Sequence, residues 1–158
     1  MTGVTELKSL KTLLESEGID SIQAAMRRKD LAKLGDPLTN LLFSLAYSLH
    51  SQNFGAEKVS GKILAAALRF AELRHLAPSR LDAHGLGDCV EAMIAYGWLS
   101  GFFSISDAVN VLQEQFLLYD TGTQQSRKKR SENIARSFSV LLQRIFEQGQ
   151  MQDTTESQ

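Results

Sequence analysis

Apolar residues recur along this chain at spacings of three and four, the mark of amphipathic helices. Leu7, Leu10, Leu13 and Leu14 form a first stripe, and Gly18 supplies a stop. Asp20 followed by Gln23 fits a capping box that opens a second helix. Leu31, Leu34, Leu38, Leu41, Leu42 and Leu45 carry a third stripe toward His50, with a loop expected over 51–55. A fourth helix fits 59–73, through Ile63, Leu64, Ala67 and Phe70, and Ala77-Pro78-Ser79 marks a turn. A fifth runs from Leu86 to Ser100 and ends near Gly101. Ser104 to Asp107 cap a sixth helix carrying Val109, Leu112 and Phe116, followed by a loop over 119–125. The last helix spans 126–147, with Phe138, Leu141, Leu142 and Ile145 on its apolar side. From Gly149 the chain turns polar, and disorder is expected there. Strand-like alternation is scarce and only Pro37 and Pro78 punctuate the pattern. The expected architecture is therefore all-α and multi-helical, one domain over 1–148 with a tail over 149–158.

Composition narrows this picture without naming an activity. The 158 residues are 43% hydrophobic and 22% charged, enough for one well-filled core. A formal charge of −1 means that any nucleic-acid binding must come from local basic patches. The single cysteine, Cys89, excludes an internal disulfide and a cysteine-rich zinc site. No basic-then-apolar leader and no uninterrupted apolar run of spanning length is evident, so the expectation is a cytoplasmic protein without membrane attachment.

The fifth helix carries the candidate chemistry. Across Leu86-Gly87-Asp88-Cys89-Val90-Glu91-Ala92-Met93-Ile94-Ala95-Tyr96-Gly97-Trp98-Leu99, Asp88 and Glu91 are the only charges. A helix apolar nearly all round is buried on most sides, and a charge on it is costly unless paired or bound to metal. The i, i+3 spacing puts the two carboxylates on one face, while Val90, Met93, Ile94 and Gly97 suit the core. Between Leu34 and His50, Asp36 is likewise the only charge before the histidine. Three carboxylates on two apolar helices can converge on one hard cation, and magnesium needs few side chains because it keeps waters. The competing reading is structural. Asp88 and Glu91 also suit the start of a helix, and Asp36-Pro37 suits an N-cap followed by a first helical residue.

These segments resemble the two signature motifs of ribonuclease III. The first family motif runs Glu-x-x-Glu-Phe-Leu-Gly-Asp, against Lys29-Asp30-Leu31-Ala32-Lys33-Leu34-Gly35-Asp36 here. The second runs Asp-x-x-Glu-Ala-Leu-Ile-Gly, against Asp88-Cys89-Val90-Glu91-Ala92-Met93-Ile94-Ala95. The chain resembles the small archaeal ribonuclease III-like proteins without a double-stranded-RNA-binding domain, related to mini-ribonuclease III, with the motif core at about 29–118. The resemblance implies a helical endonuclease domain, a homodimer, and a cleft for double-stranded or structured RNA. It assigns Asp36, Asp88 and Glu91 to catalysis and to binding Mg2+ or Mn2+. The implied reaction is hydrolysis of a backbone phosphodiester by a metal-activated water. Lys29 and Ala32 depart from the motif, each standing where the family has a glutamate.

Other residues fit around this assignment. Arg127, Lys128, Lys129 and Arg130 form the strongest basic run, a candidate RNA-backbone contact whose alternative is a solvated helix face. Arg80 and His84 precede Asp88 on the same segment and are candidate phosphate contacts; Arg27, Arg28 and Lys29 form a second basic cluster. Tyr96, Trp98, Phe102 and Phe103 read as core or dimer contact rather than base-stacking residues, and Cys89 as a small buried hydrophobe. The rival to the nuclease is a non-catalytic dimer of the same fold that binds structured RNA or a ribonucleoprotein. A lysine at 29 or 33 filling the carboxylate site would favour it.

Overall fold

The computed structural model describes residues 2–119 and 126–156, and the side chains of 9–119 and 126–155. The described residues fold into seven α-helices and a short 3-10 turn, with no strand among them. In chain order these are α1 (Thr2–Ser16), α2 (Ile22–Met26), α3 (Lys29–Ser51), α4 (Gly61–Phe70), the 3-10 turn (Arg74–Leu76), α5 (Ala83–Leu99), α6 (Ile105–Tyr119) and α7 (Arg127–Glu156).

α5 is the central element. It packs on α3, α4, α2 and α7, and most of its residues are buried, as its nearly uncharged composition requires. Val90, Met93 and Ile94 are fully enclosed. The layer of α3, α6 and α7 closes around Phe43, which stands edge-on to Phe116 at 5.7 Å and beside Phe138 at 6.2 Å. Tyr96 and Phe103 are buried, and Tyr96 meets Phe102 edge-to-face at 5.9 Å, so these aromatic side chains serve packing. Cys89 is buried, with its Sγ 3.4 Å from the Met26 carbonyl.

Several boundaries differ from the sequence expectation, each for a local reason. Ser21, not Asp20, caps α2, accepting from the Ala24 N–H at 3.0 Å. α3 runs unbroken through Pro37, which withholds an N–H from the Lys33 carbonyl without ending the helix. α5 starts at Ala83 rather than Leu86, because the Asp82 carboxylate accepts from Gly85 N–H at 2.8 Å. α4 is shorter than expected at both ends: the Ser60 hydroxyl caps its start, accepting from Ile63 N–H at 3.3 Å, and it stops at Phe70, ahead of the 3-10 turn. α7 continues through Gly149 to Glu156, where disorder was expected. Gly149 lies against the Ile22 side chain. Ser104 and Asp107 cap α6 reciprocally at 3.1 and 3.0 Å, as the sequence suggests. Most of the loop expected over 119–125 lies outside the described residues. No helix among those described is long and apolar enough to cross a membrane.

Candidate metal centre at the crossing of α3 and α5

Two glycines set how closely the helices around the site approach. A Cβ at position 35 would overlap the Glu91 carbonyl, so α3 and α5 meet backbone to backbone there. One turn earlier on α5, a Cβ at Gly87 would fall 2.7 Å from the Gly61 Cα, bringing the start of α4 against the same helix. The residue after Gly35 is Asp36, and Glu91 itself forms the other side of the crossing. Close packing thus places two carboxylates together that are 55 positions apart in sequence.

The structural alternatives for these acids do not hold. α5 has no acidic residue in its first turn, so Asp88 and Glu91 do not serve the helix dipole there. Asp36 lies well inside α3, whose N-cap is Arg28. Glu91 and Asp88 are half-buried and Asp36 is exposed. Burial pushes the Glu91 carboxyl up to about 8, helped by a hydrogen bond shared with Asp36 and by the charges of Asp36 and Asp88. At neutral pH Glu91 therefore keeps its proton. Asn40, one turn on from Asp36, donates from Nδ2 to Asp36 Oδ1 at 3.0 Å.

No ion pair among the described residues involves Asp36, Asp88 or Glu91, and neither Lys29 nor Lys33 fills the site. Among the described residues, no three His, Cys, Asp or Glu side chains are disposed together to hold a metal ion. The direct contact is the Asp36–Glu91 pair, with Asp88 acting on Glu91 through its charge. Such a donor set still fits a hard divalent cation. It is all oxygen, it has no positive partner among the described residues, and magnesium is commonly held by one or two carboxylates and several waters. Ala32, where the family motif has its second glutamate, is buried and adds no donor to this set.

The candidate RNA contacts fall at the start of α7 and around the start of α5. Arg127, Lys128 and Lys129 are exposed in the first turn of α7. Arg130 is engaged: it pairs with Glu57 at 3.6 Å and lies over the Tyr47 ring at 5.6 Å. Tyr47 is eleven residues beyond Asp36 on α3, about 16 Å along the helix at 1.5 Å per residue. The basic run is thus not brought into the carboxylate site. Arg80 is exposed in the turn before α5, with a positive φ of 64°. His84 is exposed in the first turn of α5, beside Gly61 and one turn before Asp88. Within the second basic cluster, Arg28 is committed to Glu17 and Asp30 at 3.2 and 2.8 Å. Sequence reasoning missed Asn40; its signal was a short polar residue four positions after Asp36 in a nearly uncharged helix.

An all-helical domain with paired acids at a close crossing is the class that fold and site define. The family description Ribonuclease III matches residues 29–151, most of the chain, and the chain belongs to the ribonuclease III family. That family acts on structured RNA and generally uses a divalent metal. A comparison with curated proteins finds no match.

Proposed function

We propose that this chain is a metal-dependent endoribonuclease that hydrolyses phosphodiester bonds in double-stranded or structured RNA, working as a homodimer. The observation that carries the reading is the Asp36–Glu91 pair, an acidic couple at a helix crossing with no cationic side chain among the described residues paired to it. Asp36, Asp88 and Glu91 would hold Mg2+ or Mn2+. Bound there, the cation supplies water activation and neutralises charge at the scissile phosphate. Glu91 gives up its proton to create the dianionic pair, Asp36 presents the exposed oxygen, and Asp88 adds negative charge from one turn away. Arg127, Lys128 and Lys129 are assigned to the RNA backbone at a distance from the cut, and Arg80 and His84 to phosphates near Asp88.

The homodimer reading rests on α3. Leu34, Leu41, Leu45 and Leu49 are each 38–46% exposed and share one flank of the helix. The row continues into a groove of about 660 Å³ lined by Leu45, Leu49, Ile105 and Val109, with the fully exposed Phe54 at its edge. Exposed leucines leading to a groove whose rim also carries Ser48, Gln52 and Asn110 support a partner there, and a projection beside a groove suits a two-fold contact in which each copy fills the other.

The test is cleavage of a labelled RNA duplex in magnesium and in manganese, beside a Glu91→Ala control. Metal-dependent cuts that vanish in the variant are expected. Duplex binding without cutting in either metal, by both proteins, would replace the nuclease with the non-catalytic RNA-binding dimer. The buried Ala32 is the feature that favours this second reading, since it removes one acid from the family's set.

A further inference from the structure

Segment 55–59 runs along α3 and is tied to it by a row of side chains at every fourth helix position. The Ser48 hydroxyl accepts from Gly55 N–H at 3.1 Å and donates to the Gly55 carbonyl at 3.2 Å. One turn earlier, the Ser44 hydroxyl accepts from Glu57 N–H at 2.8 Å and donates to the Glu57 carbonyl at 3.1 Å. One turn earlier again, Asn40 Oδ1 accepts from Val59 N–H at 2.9 Å. Two residues of extended chain span about 6.6 Å, and four residues of helix rise about 6.0 Å. The two repeats match, so a strap of alternate residues stays in register with one flank of α3, running antiparallel to it.

The row ends on the carboxylate site. Asp36 is the next position, four residues before Asn40, and the Asn40 amide reaches it at 3.0 Å. The amide has only one orientation that satisfies both neighbours. A backbone N–H can only donate, so Val59 must receive the oxygen, and the NH2 group is left facing Asp36. The strap thereby fixes which end of Asn40 meets the carboxylate.

We propose that Asn40 is a positioning residue for the metal centre: anchored by the strap at Val59, it holds the Asp36 carboxylate in the orientation that receives the cation. This rests on the metal reading above. Hydrogen bonds to a metal-binding carboxylate set its direction, and their loss typically lowers affinity about 10–100-fold. A side chain that only held the strap would have no such effect, and Ser44 supplies that comparison on the same strap.

The experiment is titration of the full chain with Mn2+, free of RNA, following unbound Mn2+ by its electron paramagnetic resonance signal. Asn40→Ala is expected to weaken binding about 10-fold or more, while Ser44→Ala leaves it within about twofold because it touches no part of the site. Asn40→Gln keeps the amide but moves it by one methylene; it is expected to weaken binding as well, and it serves if the alanine variant fails to fold. Wild-type binding that both Asn40 variants leave unchanged would overturn the positioning role and leave the metal reading standing. Equal weakening by Ser44→Ala would reduce Asn40 to a strap anchor. Absence of Mn2+ binding by the wild-type chain would overturn the metal reading and this inference together.

Discussion

The two flanks of α3 meet their surroundings in opposite ways. On one, Asn40, Ser44 and Ser48 bind the strap 55–59, so the polar groups there find partners inside the same chain. On the other, Leu34, Leu41, Leu45 and Leu49 stand exposed beside the groove at Ile105 and Val109. Between them runs the buried face, from Leu31 and Gly35 through Thr39 and Phe43, that presses α3 onto α5 and α6. The difference shows how one helix divides three tasks by angle. Its buried face holds the fold, its polar flank ties down the strap and reaches Asp36 through Asn40, and its apolar flank is where the second copy is proposed.

The largest effect is expected on the apolar flank. Replacing Leu41 and Leu45 together with glutamate places like charges across any two-fold contact along this row. The dimer is expected to dissociate, with affinity lowered by roughly 100-fold or more. Light scattering across a dilution series reads this directly, and thermal unfolding of the resulting monomer shows whether the fold persists. A wild-type chain that is already monomeric at high concentration would remove the second copy from the account.

Next in size is the buried face, on which both flanks depend. Gly35→Ala places a methyl where the Glu91 carbonyl lies, and a backbone cannot step aside as a flexible side chain can. Overpacking of this kind typically costs about 1–3 kcal/mol, and here the upper end is expected. Chemical denaturation measures the loss. Mn2+ affinity should fall as well, since separating α3 from α5 separates Asp36 from Glu91. A variant as stable as the parent would mean that the crossing is looser than described.

How much of this was legible beforehand depended on the kind of information each feature needs. The buried stripes of α3 and α5, and the two acids on α5, follow from periodicity and from the cost of isolated charge on an apolar helix. The motif pairing singled out Asp36 as well. What periodicity could not supply was proximity. That Gly35 lies on the Glu91 carbonyl is a property of two helices together, and neither segment alone encodes it. The strap was invisible for a related reason: Asn40, Ser44 and Ser48 look like ordinary half-exposed polar residues until residues 55–59 come alongside. From Gly149 the polar composition suggested a tail, and the chain continues there as α7 to Glu156, with Gly149 against the Ile22 side chain.

A third, smaller effect concerns the proton at the join between buried face and polar flank. Glu91 has an ordinary value of 4.5 and is pushed up to about 8 in the folded chain. Below 4.5 it is protonated whether folded or not, and its burial carries no charge penalty. Between 4.5 and 8 the unfolded chain releases the proton while the folded chain keeps it, so stability falls as pH rises; above 8 the loss levels off. For a site with one edge in solvent the loss is expected to be about 2 kcal/mol rather than the full value of the shift. Thermal midpoints of metal-free protein between pH 5 and pH 8.5 should show it, and Glu91→Gln should flatten the curve. Magnesium should restore stability at the alkaline end, because it favours the deprotonated pair and displaces the proton on binding. A flat wild-type profile would mean that Glu91 ionises as an ordinary exposed acid.

The smallest effect tests the outer side of the strap. Glu57 pairs with Arg130 at 3.6 Å, with both side chains partly in solvent. Such a pair contributes about 0–1 kcal/mol, so Glu57→Gln should leave the thermal midpoint almost unchanged. Its consequence lies in the basic run. Removing the carboxylate frees Arg130 to join Arg127, Lys128 and Lys129, and takes away a negative charge that repels phosphate. Duplex RNA binding should tighten modestly, and the slope of log affinity against log salt should steepen by up to about one, the contribution of one additional phosphate contact. The strap's inner bonds, through the Ser44 hydroxyl to the Glu57 backbone, do not involve the altered side chain, so Mn2+ affinity should stay where it was. An unchanged salt slope would place the RNA backbone away from the start of α7 and leave Arg80 and His84, just before Asp88 in the chain, as the contacts to test.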